Sequence, residues 1–226
     1  MRGKLICFEG IDGAGKTTIS HVVADLLSAN RATTHIAKKT VPAAGNYAAE
    51  HLRALQRIIW EYRPDSPLLD LGDHHWLHLM ASWFAALDFC AVRPALAQSD
   101  FVVVDNWFYK FAARFMLKPA FERVDVFAAF ARLSQPDLVV FLDIEPALAA
   151  TRRGWISRSE AGRLESDREA NREQFARYQE RVRSELCLFA ERDPAWTCIP
   201  ISETASPAAI AEVVLHTLCI DPPAVR

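Results

Sequence analysis

The sequence predicts an α/β protein: a five-stranded parallel sheet covered by helices on both faces. Five short apolar runs alternate with longer helical patterns, which is the signature of strands joined by helical crossovers. The first run leads straight into a glycine-rich loop that opens a helix. The third and fourth runs each end in an aspartate, at the strand ends where parallel sheets of this kind bind ligands.

Taken in order, strands are expected at 5–8, 34–37, 101–104, 138–142 and 197–201. Helices are expected at 19–29, 48–62, 77–97, 121–133 and 168–190. Ser206-Pro207 is a cap followed by a proline, the start of a last helix to about residue 218. Residues 221–226 read as a loose tail, and nothing in the 226 residues divides the chain, so one domain is expected.

A net charge of −2 and a pI near 6.4 argue against a general nucleic-acid surface. The five cysteines form no C-x-x-C pair and read as reduced, mostly buried thiols of a cytoplasmic protein. No secretory leader is expected, because the first strand opens at residue 5. The most apolar stretch, 76–92, falls short of the roughly 20 residues that span a bilayer, and reads as a buried or interface helix. His74, His75 and His78 sit in that neighbourhood with no evident fourth ligand, so a surface cluster is preferred to a metal site.

The loop reads Gly10-Ile-Asp-Gly-Ala-Gly-Lys-Thr-Thr18, and Gly10, Gly15, Lys16 and Thr17 fill the spacing G-x-x-x-x-G-K-[ST]. In that arrangement the backbone N–H groups of residues 10–18, Asp12, Gly13, Ala14 and Thr18 among them, surround phosphate oxygens. Lys16 neutralises charge near the β/γ oxygens and the Thr17 hydroxyl ligates Mg²⁺. ATP or GTP binding follows. Asp105 ends the run 101–104 and is placed to hold Mg²⁺ through water or to accept a proton from an acceptor. Asp143 is read instead as ordering the loop before Pro146. Beyond it, Arg152 and Arg153 open a basic lid at about 151–167, with Arg158, Arg163 and Arg168 further along. Arginines fork onto phosphate oxygens, so this segment is expected to close over a transferring phosphoryl group.

In this order the residues resemble the thymidylate kinase family. The phosphate loop with its carboxylate at Asp12, Arg93-Pro-Ala-Leu96 before a strand ending in Asp105, Pro136 to Asp143, and the helix 173–190 with Phe175 and Arg181-Val-Arg183 all match its pattern. The resemblance implies a P-loop kinase fold, ATP with Mg²⁺, a small-molecule phosphate acceptor positioned by Asp12, and a homodimer. It also implies that the lid supplies the catalytic arginine, since Gly13 stands where some members carry one.

On the acceptor side the pattern departs from the family. Asp105-Asn106-Trp107 replaces D-R-Y, Phe84 falls where a second arginine is expected, and Lys39-Thr-Val-Pro42 replaces T-R-E-P. The cations that would grip a monophosphate are therefore missing from three places, with Lys38, Lys39 or Lys110 as substitutes. Phe84, Asn106, Trp107 and Lys39 are the expected acceptor-binding residues, and Trp83, Phe84, Trp107 and Phe108 form either an aromatic pocket or ordinary core. The reading is an ATP-dependent phosphotransferase acting on a nucleotide-like or nucleoside-like acceptor, with Asp12 or Asp105 as base where that acceptor is a hydroxyl. A strict thymidine monophosphate kinase and a nucleotide-binding regulatory protein without turnover are the alternatives.

Overall fold

The computed structural model describes residues 2–42, 45–63, 66–162 and 170–220. β1 (Lys4–Glu9) enters the glycine-rich loop and α1 (Lys16–Ser28); β2 (Thr33–Ile36) follows. α2 (Gly45–Trp60), α3 (Gly72–Leu87) and α4 (Arg93–Gln98) lead to β3 (Phe101–Val104). α5 (Tyr109–Met116) and α6 (Arg123–Phe130) precede β4 (Leu138–Ile144), and α7 (Pro146–Thr151) and α8 (Arg172–Arg192) precede β5 (Trp196–Ile201) and α9 (Pro207–Thr217).

The strands lie in the order β2-β3-β1-β4-β5, and every pairing is parallel. β1, β3 and β4 are buried almost continuously, because helices cover both faces and leave no solvated side to alternate with. The chain leaves β1 toward β2 at one edge and leaves β3 toward β4 on the other side of β1. The carboxyl ends of β1 and β3 thus flank the switch point at which such sheets bind ligands. Cys7 pairs with Val104, which brings the loop after β1 level with Asp105.

Two expectations are corrected by the structure, and one further helix is found. The apolar helix is not short: α3 passes through one π turn, Asp88–Val92, into α4, and the helical run Leu68–Gln98 covers 31 residues. Its length and composition suffice to cross a bilayer, yet its buried residues Leu77, Trp83, Phe84, Leu87 and Val92 belong to the core. The cysteines are not mostly buried: Cys7 is, Cys90 and Cys187 are half-buried, and Cys198 and Cys219 are exposed. The stretch after Asp105, to which the sequence reading gave no helix, forms α5, a short amphipathic helix whose last basic residue is Arg114.

Other elements start where their local chemistry puts them. α8 opens on a reciprocal cap between Asn171 and Gln174, and α9 on the Ser206 side chain followed by Pro207. The expected start of the long helix at 168, together with Arg163, Arg168, part of the lid and the tail 221–226, lies outside the described residues.

Candidate active site

The loop after β1 has the backbone its sequence requires. Gly10 and Gly13 adopt φ of 147° and 87°, and a Cβ on either would come within 2.7 Å of Leu142 O or 2.9 Å of Ala149 O. Gly13 therefore packs the loop directly on α7, the helix that leads into the lid, and no larger residue fits without moving one of them. α1 begins at Lys16 without a side-chain cap, so its first N–H groups remain for phosphate oxygens.

Lys16 folds back over the loop and donates to the carbonyls of Gly10 and Ile11, each at 2.8 Å. Burial and the neighbouring Lys110 push its ammonium well below the usual lysine range, against Asp12 and Glu9. The Thr17 hydroxyl donates to Asp105 Oδ2 at 3.1 Å, and Asp105 Oδ1 accepts from the Lys38 N–H at 2.8 Å. A hydroxyl and a carboxylate this close are the hard-oxygen donors that Mg²⁺ takes, so Thr17 and Asp105 fit the ion that accompanies a nucleoside triphosphate.

Asp12 is held on both oxygens. Lys110 Nζ donates to Oδ1 at 2.7 Å, Arg114 Nη2 to Oδ2 at 2.5 Å, and Gln179 Nε2 reaches Oδ2 at 3.3 Å. Burial pushes this carboxyl up, but Lys110 and Arg114, with Lys16 and Lys38 behind them, hold it well below the ordinary carboxylate range. It stays ionised and is a weak base at neutral pH. Gln179, fully buried on α8, also accepts from the Asp12 N–H and donates to the carbonyl of Glu160 in the lid segment.

Glu9 ends β1 inside the protein. Its oxygens accept from Asn106 Nδ2 at 2.9 Å and the Trp107 N–H at 3.1 Å. Burial raises this carboxyl to about 7 despite Lys16, Lys110 and Lys38 nearby. Asn106 Oδ1 in turn accepts from Lys38 Nζ at 3.4 Å, and burial with the adjacent Lys110 lowers Lys38 to about 8. Trp83 Nε1 donates to the Lys38 carbonyl and fixes the chain there.

The expected acceptor residues separate into two groups. Asn106 lies in this polar network. Phe84 and Trp107 are fully buried, Phe84 against the rings of Trp107, Phe111 and Phe130, so the aromatic set is core. Lys39 is exposed, with its ammonium over the Trp60 ring at 5.5 Å. In the lid, Arg152 is exposed and donates to Ser202 O, and Arg153 pairs with Glu160. Asp143 is gripped by both arms of Arg183, so it ties β4 to α8 and does not order the loop at Pro146. His74 and His75 lie on exposed parts of α3 beside Phe121 and Trp76.

Sequence reasoning missed Arg114, Gln179 and the role of Glu9. Arg114 had a signal, the four-residue spacing from Lys110 on an amphipathic helix; Gln179 and Glu9 had none, because their partners are distant in the chain.

Residues 8–204 match the family model for thymidylate kinase. Thymidylate kinase from Burkholderia mallei is 32% identical over 176 residues, covering 74% of this chain and 78% of that protein. That from Photobacterium profundum is 35% identical over 173 residues, covering 73% and 76%. Among solved structures, thymidylate kinase from Candida albicans superposes with a TM-score of 0.69 at 19% identity, over 96% of this chain and 91% of that one. The enzyme from Ehrlichia chaffeensis gives 0.63 at 15%, over 97% and 99%. A phosphate loop at the switch point of a 2-3-1-4-5 parallel sheet, with relatives of this identity and coverage, leads to one conclusion: the chain belongs to the thymidylate kinase family of P-loop phosphotransferases.

Proposed function

We propose that this single-domain protein transfers the γ-phosphoryl group of ATP to thymidine monophosphate, giving thymidine diphosphate and ADP. The observation that carries the reading is the Thr17–Asp105 pair, which joins the phosphate loop to the strand end leading into Asn106 and α5. Mg²⁺ held there would neutralise charge on the triphosphate and orient it. Lys16, freed from the Gly10 and Ile11 carbonyls by phosphate, stabilises the transferring group, and Arg152 or Arg153 closes over it from the lid.

A phosphorylated acceptor suits the ionisation of the site. Asp12 is too acidic to accept a proton at neutral pH, while a phosphomonoester brings its own oxyanion and needs no base. Its role is to hold Lys110 and Arg114 rather than to deprotonate. A second reading, an unphosphorylated acceptor such as a nucleoside, is favoured by the neutral residues Thr40, Phe84 and Asn106 where the family pattern has charge. Pairing of two copies through the apolar α3 region, where Phe89 is 69% exposed, and work in the cytoplasm belong to the same proposal.

ADP release measured with thymidine monophosphate beside thymidine separates these readings. We expect turnover with the monophosphate at kcat/KM above about 10⁴ M⁻¹s⁻¹ and little with thymidine. Preference for thymidine establishes the second reading, and ATP binding without ADP release on any acceptor leaves a binding protein.

A further inference from the structure

The arginine that the family pattern calls for at position 106 is an asparagine, yet the space around Asn106 and Asp12 is rich in cations. Lys110 and Arg114 lie four residues apart on one face of α5 and each bonds a different oxygen of Asp12. Lys110 is 2% exposed and Arg114 18%, so both charges are largely removed from water. Lys16 and Lys38 lie in the same field, so four cations face the carboxylates of Asp12, Glu9 and Asp105, of which burial drives Glu9 toward its neutral form. Such an excess of buried positive charge is costly unless an anion completes it.

The donors point the same way. Lys110 has three N–H groups and Arg114 five, far more than Asp12 accepts. Arg114 Nε is buried without a hydrogen-bond partner. A guanidinium N–H left without a partner beside the phosphate loop is a donor still available to an oxyanion once the side chain turns toward it. Asn106 cannot fill the missing arginine's role, because its amide is engaged by Glu9 and its carbonyl by Lys38.

We infer that Lys110 and Arg114, with Lys38, are the clamp for the acceptor's phosphate, moved from the strand end onto α5. Asp12 holds the two α5 cations in the ligand-free protein and shares them with the incoming monophosphate. The clamp rests on the proposed phosphorylation of a nucleoside monophosphate and names the residues that select the phosphate. It favours a dianionic acceptor over the matching nucleoside.

Calorimetric binding of thymidine monophosphate and of thymidine, with steady-state ADP release, tests this in wild type, Arg114→Gln and Arg114→Lys. Arg114→Gln should weaken monophosphate binding and raise its KM by roughly tenfold to a hundredfold, the loss of a charge-assisted pair. Thymidine binding should stay within about twofold of wild type, and Arg114→Lys should recover part of the loss because it keeps the charge. Lys110→Gln, which acts on the other oxygen of Asp12, is held to the same outcomes and replaces Arg114→Gln if that variant does not fold. Wild type that turns over thymidine monophosphate while both glutamine variants keep its KM overturns the clamp and leaves the proposed reaction intact. Equal weakening of the nucleoside and the nucleotide also overturns the clamp, since it shows a general structural effect. Wild type that binds thymidine but not its monophosphate overturns the clamp and the proposed reaction together.

Discussion

The phosphate loop, residues 10–18, taken as the donor half of the site, and the proposed acceptor half, built from Lys38, Asn106 and α5, meet at Asp12 but are encoded differently. The donor half is made of backbone: glycine conformations, the uncapped start of α1 and one lysine folded onto its own loop. Its geometry is local, so its spacing in the sequence is also its spacing in space. The acceptor half is made of side chains delivered by β2, β3, α5 and α8, and a charge there can come from several elements without changing the fold. The difference teaches that a missing residue in the donor motif is a missing function, whereas a missing acceptor arginine says only that the charge is not at that position.

The largest expected effect falls on the donor half. Lys16→Met should lower kcat/KM for ATP-dependent transfer by about a thousandfold, as for removal of a buried donor to transition-state charge. Stability should not fall, because burial already disfavours this ammonium and the glycines set the loop's shape. A melting temperature several degrees lower, with activity lost only in proportion to unfolding, would show that Lys16 is structural and erase the contrast between the halves.

Next in size is Asp105→Asn, at the boundary between them. It keeps the shape and the bond from the Lys38 N–H but removes the charge facing the Thr17 hydroxyl. We expect kcat to fall about a hundredfold and the Mg²⁺ concentration for half-activity to rise. An unchanged Mg²⁺ requirement would assign Asp105 to organising the loop after β2.

Much of this was legible beforehand, and the rest was hidden for definable reasons. The alternation of strands and helices, the loop, and Asp105 at the edge of β3 follow from local patterns, and the structure places each of them near its expected position. α5 was masked, despite the four-residue spacing of Lys110 and Arg114, because its eight residues, Tyr109–Met116, follow an aromatic run that reads as core. With the helix went Arg114. The aromatic residues offered as a pocket, Phe84 and Trp107, were ambiguous in sequence because a ring lining a cavity and a ring in a core have the same composition. Glu9 ends β1 after four apolar residues, and the groups that bond its carboxylate, Asn106 and the Trp107 N–H, are distant in the sequence.

A smaller effect should come from the link between Asp12 and the lid. Gln179 bonds the Asp12 N–H and carboxylate and the Glu160 carbonyl, and Glu160 pairs with Arg153. Gln179→Leu fills the same space and removes this relay; we expect kcat to fall about tenfold through misplacement of the lid, with ATP affinity within about threefold of wild type. Loss of ATP affinity with kcat intact would place Gln179 with the loop rather than with the lid.

The last effect lies in stability rather than turnover and distinguishes two carboxylates three residues apart in the sequence, Glu9 and Asp12. Burial raises Glu9 from 4.5 to about 7, so over that window the native state holds a proton that the unfolded chain has released. Its contribution to stability is therefore complete below about pH 4.5 and is lost as pH rises through 7, by about 3 kcal/mol in all. Asp12 has the opposite sign: its carboxyl is held low by Lys110 and Arg114 against burial, so its contribution is present above the unfolded range and is lost as pH falls through its native value. Urea unfolding of wild type and Glu9→Gln at pH 5, 6, 7 and 8 isolates the first contribution, because Asp12 is common to both proteins. The stability of wild type relative to Glu9→Gln should decline from pH 5 to about pH 7 and level off toward pH 8. A difference that stays flat would mean that Lys16, Lys38 and Lys110 keep Glu9 ionised throughout. The cation surplus would then be shared with Glu9 on the donor strand, leaving less of it for an acceptor phosphate.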